Sequence, residues 1–251
     1  MKLLSVPLLG MAALFAVLPA APAAITYVDV NTTNTLQADG AGGYVTFTPA
    51  TDAGGTGTDN LWRDRTGSTN PSLTTTASSV RRYEASDTGT PNENAPRLQT
   101  SVGGFSTGDT VVVYAYFWGA PVVNQPWGLS AGLTDTALPL PHYVGTLNGG
   151  PPPGSLPASE ISTLTGFANA ASITVLNSDL VSGNQRLMQI SLGQAVIGGD
   201  GTLRVYLDDF ANVDNTVRRS TLDGIGYELI PEPSSLMLGG LGLTLLARRR
   251  R

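Results

Sequence analysis

The strongest structural signal in this chain is the stretch Thr110-Val-Val-Val-Tyr-Ala-Tyr-Phe-Trp118. Valine and aromatic side chains favour extended strands over helices, because they pack well on a pleated surface. Nearly every position is apolar, so the pattern predicts a central strand that is covered on both faces. Tyr114, Tyr116 and Trp118 alternate along the stretch, share one of its faces and are predicted to be buried.

Other segments before and after this stretch have strand-like patterns and are separated by turn residues. The sequence predicts further strands at 25–30, 43–48, 61–63, 80–84, 127–133, 172–176, 186–192, 202–207 and 222–230. About ten short strands with little helix predict an all-β fold. The natural architecture is an antiparallel β-sandwich, of a jelly-roll and galactose-binding-like type.

Two connections in this body give more specific predictions. Gly198-Gly199-Asp200-Gly201 reads as a tight turn, and it is predicted to join 194–197 to 202–207 as a β-hairpin. The segment 139–157 is rich in proline and glycine. Since proline cannot donate a ladder hydrogen bond, this segment is predicted to stay out of the sheet.

The N-terminal segment 1–24 is predicted to be a signal peptide. Lys2 supplies a positive charge, 3–18 is largely apolar, and Ala21-Pro22-Ala23 offers small residues for signal peptidase. Export by the Sec machinery and cleavage after Ala23 or Ala24 are therefore expected. The alternative is an uncleaved membrane anchor.

The C-terminal segment has three parts in a fixed order. Pro231-Glu232-Pro233 comes first, and its prolines disfavour helix. The apolar stretch 236–247 follows; as a helix it would be ~18 Å long, short against a ~30 Å hydrocarbon core. The arginine run Arg248, Arg249, Arg250 and Arg251 ends the segment and is predicted to stop translocation by staying cytoplasmic.

This order of motif, apolar helix and basic end resembles the PEP-CTERM sorting signal. The resemblance implies recognition of Pro231, Glu232 and Pro233 by exosortase, an integral-membrane transpeptidase-like enzyme of Gram-negative bacteria that often make exopolysaccharide. It divides the chain into a signal peptide (1–24), an ectodomain (25–229) and a sorting signal (230–251). The body loosely resembles other PEP-CTERM ectodomains. An ordinary tail anchor in the inner membrane is the alternative.

Composition excludes several classes of function. The chain has no cysteine, which excludes disulfides and thiolate chemistry. Five of its 14 basic residues are Lys2 and the terminal arginines, which leaves 9 basic residues in the body against 19 acidic residues in the chain. A body near −10 without lysine is not expected to bind nucleic acid or anionic lipid.

No catalytic motif stands out, and the chain is predicted not to be an enzyme. His142 is the single histidine and lies in a proline-rich context without a nucleophile elbow. Paired carboxylates could support glycoside hydrolysis, but the acidic residues occur in no recognisable motif. An extracellular hydrolase remains the second alternative.

The first of two binding predictions concerns acidic loops. No cofactor is expected, although oxygen-rich loops could hold one structural calcium ion. The candidate ligands are Asp52, Asp59, Asp208, Asp209 and Asp214. Turn-forming aspartates are the simpler interpretation of these residues.

Exposed Trp62 and Trp127 on one concave face would indicate a carbohydrate-binding module, the first alternative function. The preferred hypothesis is a non-catalytic structural or adhesive protein of the cell surface or extracellular matrix. After transient anchoring in the inner membrane, its context would be exopolysaccharide or biofilm.

Overall fold

The computed structural model describes residues 24–50, 60–65, 83–87, 95–119, 127–136, 140–144, 154–155, 173–175, 186–209 and 218–231. All regular secondary structure within these ranges is β-strand. Nearly all of the predicted signal peptide and the tail beyond Pro231 lie outside the described residues. In the described ranges, no helix has both the length and the apolar character needed to cross a membrane.

The strands are short at the start of the chain and long near its end. They are β1 (Thr26–Asp29), β2 (Thr35–Ala38), β3 (Tyr44–Thr46), β4 (Arg63–Asp64), β5 (Tyr83–Asp87), β6 (Leu98–Val102), β7 (Thr110–Gly119), β8 (Trp127–Gly132), β9 (Leu140–Val144), β10 (Gly154–Ser155), β11 (Ile173–Val175), β12 (Arg186–Val196), β13 (Leu203–Asp208) and β14 (Arg218–Ile230).

These strands form two antiparallel sheets. One contains β10, β11, β12, β7, β14 and β1 in that order, and the other contains β9, β8, β13, β6, β2 and β3. A single parallel pairing of Arg219 in β14 with Trp127 in β8 joins them. The first half of β14 also pairs with β5, which carries β4 on its other edge. The predicted all-β class is confirmed.

The main core lies on one face of β7. Val111, Val113, Ala115 and Phe117 alternate along the strand, are fully buried, and belong to one apolar cluster with residues of the other sheet. Those residues are Leu98 of β6, Leu129 and Ala131 of β8, and Leu203, Val205 and Leu207 of β13. Burying one face of each sheet against the other is what stabilises such an arrangement.

The opposite face of β7 carries a second, smaller cluster. Tyr116 and Trp118 are buried there with Leu187 of β12, and Tyr27 and Tyr114 pack against them. The prediction that this strand is covered on both faces is therefore confirmed. The aromatic residues share one face as expected, but that face points away from the main core.

The predicted hairpin at 198–201 is wrong. The turn itself forms, with the Gly201 amide donating to the Gly198 carbonyl over 3.1 Å. However, β12 pairs with β7 and β11, whereas β13 pairs with β6 and β8. The turn therefore passes the chain from one sheet to the other, and local turn chemistry does not distinguish this connection from a hairpin.

The prediction that 139–157 stays out of the sheet is also wrong. Strand β9 pairs with β8, and Pro141 lies opposite Ser130 in that ladder. Among the described strands β9 pairs only with β8, so it is an edge strand, where a missing backbone donor can face away from the ladder. Gly154–Ser155 form the short strand β10, which also lies at an edge.

Candidate functional site

The last strand of the domain ends where the predicted sorting segment begins. Ile230 is the final residue of β14 and lies opposite Thr110 of β7. Pro231 follows at once, is exposed and carries no amide hydrogen. The ladder therefore cannot continue in its usual form, and the chain leaves the sheet at Pro231.

The chain also enters the domain at this end of the sheet. Strand β1 runs antiparallel to β14, with Thr26 opposite Tyr227 and Asp29 opposite Gly224. Ala24 and Ile25 precede Thr26, so they extend beside the last residues of β14. The first strand thus holds the strand that leads into the C-terminal segment.

Two glycines of β14 allow aromatic rings to lie directly on the strand. A Cβ atom on Gly224 would lie 2.3 Å from the hydroxyl oxygen of Tyr27, and one on Gly226 would lie 2.9 Å from the ring of Tyr116. The rings of Tyr27 and Tyr116 meet edge to face, with centroids 5.4 Å apart. Glycine is required here because any larger residue would occupy the space of a ring.

Beside these glycines a buried carboxylate ties three strands together. Asp223 is fully buried and lies at a register shift in the pairing of β14 with β7, as expected of a β-bulge. The Tyr27 hydroxyl donates to its Oδ2 over 2.8 Å, and Trp118 Nε1 donates to its Oδ1 over 3.2 Å. Burial, followed by the charge of Asp223, raises the pKa of Tyr27, so the phenol remains a donor.

Sequence reasoning assigns no role to Asp223 beyond its position in the strand predicted at 222–230. A usable signal was present, however. An aspartate beside Gly-Ile-Gly inside a strand pattern indicates a bulge and a close backbone approach. The buried carboxylate helps to fix the register of β14 and therefore the position at which Pro231 emerges.

The family model described as the PEP-CTERM protein-sorting motif matches residues 229–251. The chain carries a PEP-CTERM sorting motif. The match begins one residue earlier than the predicted sorting signal and covers all of it. A PEP-CTERM tail implies export, transient anchoring in the membrane and processing by exosortase. No curated protein and no solved structure matches the chain.

Of the PEP-CTERM segment, the structure describes only the first residues. Leu229 and Ile230 complete β14, and Pro231 is exposed. Glu232, Pro233 and Arg248 to Arg251 lie outside the described residues. The geometry therefore places the start of the sorting motif against the folded domain, without an intervening linker.

The two tryptophans predicted to bind carbohydrate are not seen together on an exposed face. Trp62 is only 1% exposed, belongs to the main core, and donates from Nε1 to the Pro96 carbonyl over 2.8 Å. Its ring therefore packs against protein and offers no face to a sugar. Trp127 begins β8, but its side chain lies outside the described residues, as does the side chain of His142.

Two of the five predicted calcium ligands, Asp208 and Asp209, lie within the described residues. Asp208 accepts a hydrogen bond from Arg97 Nε over 3.0 Å, and Asp209 accepts one from the Ala95 amide over 3.0 Å. Asp52, Asp59 and Asp214 lie outside the described residues. Across the part that the structure does describe, no three acidic or histidine side chains are grouped as a metal site. Calcium binding stays a prediction.

Asp208 lies in an open cleft of about 730 Å³ where several strands and loops of the second sheet meet. Arg97 lies within hydrogen-bonding distance of both Asp208 and Asp135, and Asp135 also accepts from the Tyr44 hydroxyl over 2.8 Å. One guanidinium thus joins two carboxylates that come from different parts of the chain. The arrangement holds the β2–β3 hairpin and β6 against β13.

The two carboxylates of this cleft have opposite pKa shifts. Hydrogen bonds from Tyr44 and then from Arg97 lower the pKa of Asp135. Burial raises the pKa of Asp208, although Arg97 partly opposes that effect. The contribution of Asp135 to stability is therefore present above its unfolded-state pKa of about 3.9 and is lost as pH falls through its lower folded-state pKa.

We expect Asp135→Asn to destabilise the protein at neutral pH and to have little effect in strong acid. The reason is that acid protonates wild-type Asp135 and removes the same charge that the substitution removes. Urea unfolding of both proteins at pH 7, 5 and 2 measures this difference. A destabilisation that is the same at all three values would contradict the assignment.

Proposed function

We propose that this protein is a non-catalytic structural or adhesive component of the cell surface or extracellular matrix of a Gram-negative bacterium. Its ectodomain would be a β-sandwich of the jelly-roll, galactose-binding-like type. The exported protein reaches its destination through a PEP-CTERM tail that exosortase processes. Exopolysaccharide or biofilm is the proposed setting.

One observation carries this proposal above all. The PEP-CTERM match begins at Leu229, and the last strand of the folded domain ends at Ile230. The sorting motif is therefore fused directly to the domain, as expected if the domain itself is the cargo. The protein's net acidic, lysine-free body supports a soluble extracellular role and disfavours nucleic acid as a partner.

A non-catalytic role fits the polar clusters that the structure describes. Asp223, Glu84 and the Asp135–Arg97–Asp208 cluster each bring together residues that are distant in sequence. In each cluster the charged groups are used to hold strands or loops in place. These contacts support a rigid scaffold as the proposed function of the domain.

The proposal is tested by the intact mass of the protein from its native host, with and without the exosortase gene. We expect the mature protein to lack the residues before Ala24 or Ile25 and the apolar tail, but to keep the tail when exosortase is absent. Replacing Pro231, Glu232 and Pro233 together by alanine is expected to reproduce the mass seen without exosortase. A tail that is retained in every strain would leave a simple membrane-anchored ectodomain and reject the proposal.

The same samples test the proposed destination. The processed protein is expected in the cell-surface or matrix fraction, and the unprocessed alanine variant in the inner-membrane fraction. A processed protein found only in the periplasm would contradict a surface or matrix role.

A further inference from the structure

An exposed apolar patch lies at the end of the sheet from which the sorting segment leaves. Val196 of β12 and Ile230 of β14 both lie opposite Thr110 of β7, so the three residues form one row across three strands. Val196 is 71% exposed, the highest value among the exposed large hydrophobic residues described. The adjacent Leu229 is 42% exposed.

The register shows which face this row occupies. Val111 points into the main core, so its neighbours Thr110 and Val112 point to the opposite, outer face. Val196 and Ile230 share that outer face with Thr110, because directly paired residues point the same way. We define the terminal patch as Val112, Val196 and Ile230; Leu229 pairs with Val111 and therefore lies on the other face, at the rim of the core.

The entering strand extends the apolar character of this end. Ile25 precedes β1, and its Cγ2 atom would lie 3.1 Å from a Cβ placed on Gly226. It therefore lies on the outer face beside the last residues of β14. Both ends of the domain thus lie beside the patch.

The short segment between Ile230 and the apolar tail limits which surfaces can approach this patch. Only five residues, Pro231–Ser235, separate Ile230 from the apolar stretch that begins at Leu236. Fully extended, the six Cα–Cα steps from Ile230 to Leu236 span at most about 22 Å. While the apolar stretch is in the membrane, Ile230 must lie within that distance of it, and an enzyme acting on Pro231–Pro233 must work close to this end of the domain.

Charge distinguishes between the two surfaces that could meet the patch. Glu228 lies opposite Val112, and Asp109 directly precedes Thr110. Acidic groups beside the patch and a body without lysine disfavour close contact with anionic lipid. A protein surface with an apolar centre and basic groups at its rim would complement both the valines and these carboxylates.

We propose that the terminal patch is the docking surface through which the folded domain contacts exosortase during processing of its tail. This inference rests on the proposed function, since it requires that exosortase processes the chain. It adds that recognition extends beyond the Pro-Glu-Pro motif to the domain itself. Because Ile230 is held in the ladder, the enzyme meets a folded sheet end.

The test compares Val196→Ser with Val45→Ser in the full chain, expressed in the native host. Val45 is 46% exposed and lies on β3, at the far end of the strand path. Pulse–chase labelling measures the rate at which the tail is lost, and protease resistance of the cell-associated protein measures folding. We expect roughly fivefold slower processing for Val196→Ser, as for loss of one central interface contact, and a wild-type rate for Val45→Ser. Val196→Ile is expected to restore most of the rate.

Each other outcome overturns the inference. Equal processing of protease-resistant Val196→Ser and wild type would show that the patch has no role. A change of Val196→Ser in membrane attachment without exosortase would identify lipid as the surface contacted, and a change in oligomeric state would identify a second copy. A wild-type chain that is never processed would instead reject the proposed function itself.

Discussion

Replacing Glu84 by glutamine is expected to lower the free energy of unfolding by about 3 kcal/mol. Glu84 is buried in β5, where it accepts from Arg219 Nη1 over 3.0 Å and lies 3.4 Å from Arg65 Nε. Without its charge, two partly buried guanidinium groups lose this carboxylate as an ion-pair partner. Their side chains are 21% and 19% exposed, which places the loss at the lower end of the range for buried ion pairs.

The matched control is Asp200→Asn. Asp200 pairs with Arg204 over 2.6 Å, but its side chain is 50% exposed. Exposed pairs contribute less than about 1 kcal/mol, because water and salt screen them. Urea unfolding at pH 7 measures both variants. Equal, small losses would show that the Glu84 cluster does not help to hold β5 on β14.

The second large effect is expected from Gly224→Ala. A Cβ atom at this position would lie 2.3 Å from the Tyr27 hydroxyl oxygen and 2.5 Å from its ring. The ring would have to move, and its hydrogen bond to Asp223 would be lost with it. We expect a loss of about 3 kcal/mol, at the upper end of the usual range for overpacking.

Gly199→Ala is the control for Gly224→Ala. No atom lies within 4 Å of the position that its Cβ would take, and its φ is not positive. Its effect is therefore expected to be near zero or slightly stabilising. In a Tyr27→Ala background, Gly224→Ala should cost much less, because the ring that it would strike is absent. An unchanged cost in that background would contradict the proposed clash.

The fold class could be predicted from the sequence because β7 has an unusually clear strand pattern. Its continuous apolar run requires cover on both faces, and the structure supplies the main core on one side and the cluster around Trp118 on the other. The strand partners were harder to predict. Alternating patterns indicate that a segment is a strand, but they carry little information about its neighbour. For this reason the 198–201 turn predicts a hairpin that the structure does not form.

The weakest strands were missed for a related reason. β2 and β6 are short and polar, with sequences Thr-Leu-Gln-Ala and Leu-Gln-Thr-Ser-Val. Pairing of β2 with β6 satisfies the backbone hydrogen-bonding groups of both strands, whose positions are set by the rest of the sheet. The Thr35 and Thr100 hydroxyl groups add a buried hydrogen bond of 2.9 Å between them. Local propensity does not reveal such context.

The sorting site was predictable because its signal is compositional and continuous. The motif, the apolar run and the arginines follow one another along the chain, and recognising them required no tertiary contact. The terminal patch was not predictable in this way. Val196 and Ile230 are 34 positions apart in the sequence, and only the ladder through Thr110 brings them into one row.

The pairing of β1 with β14 also governs when the domain can fold. The hydrogen bond from Tyr27 to Asp223 closes a separation of 196 residues, and β14 is the last of the described strands to be made. Until it emerges from the export channel, β7 and β1 both lack the strand that lies between them. We therefore expect folding to be completed only at the end of translocation, since such non-local pairing forms late and slowly. A prematurely terminated chain lacks both the closing strand and the sorting tail, so a chain that is sorted is also one that could fold.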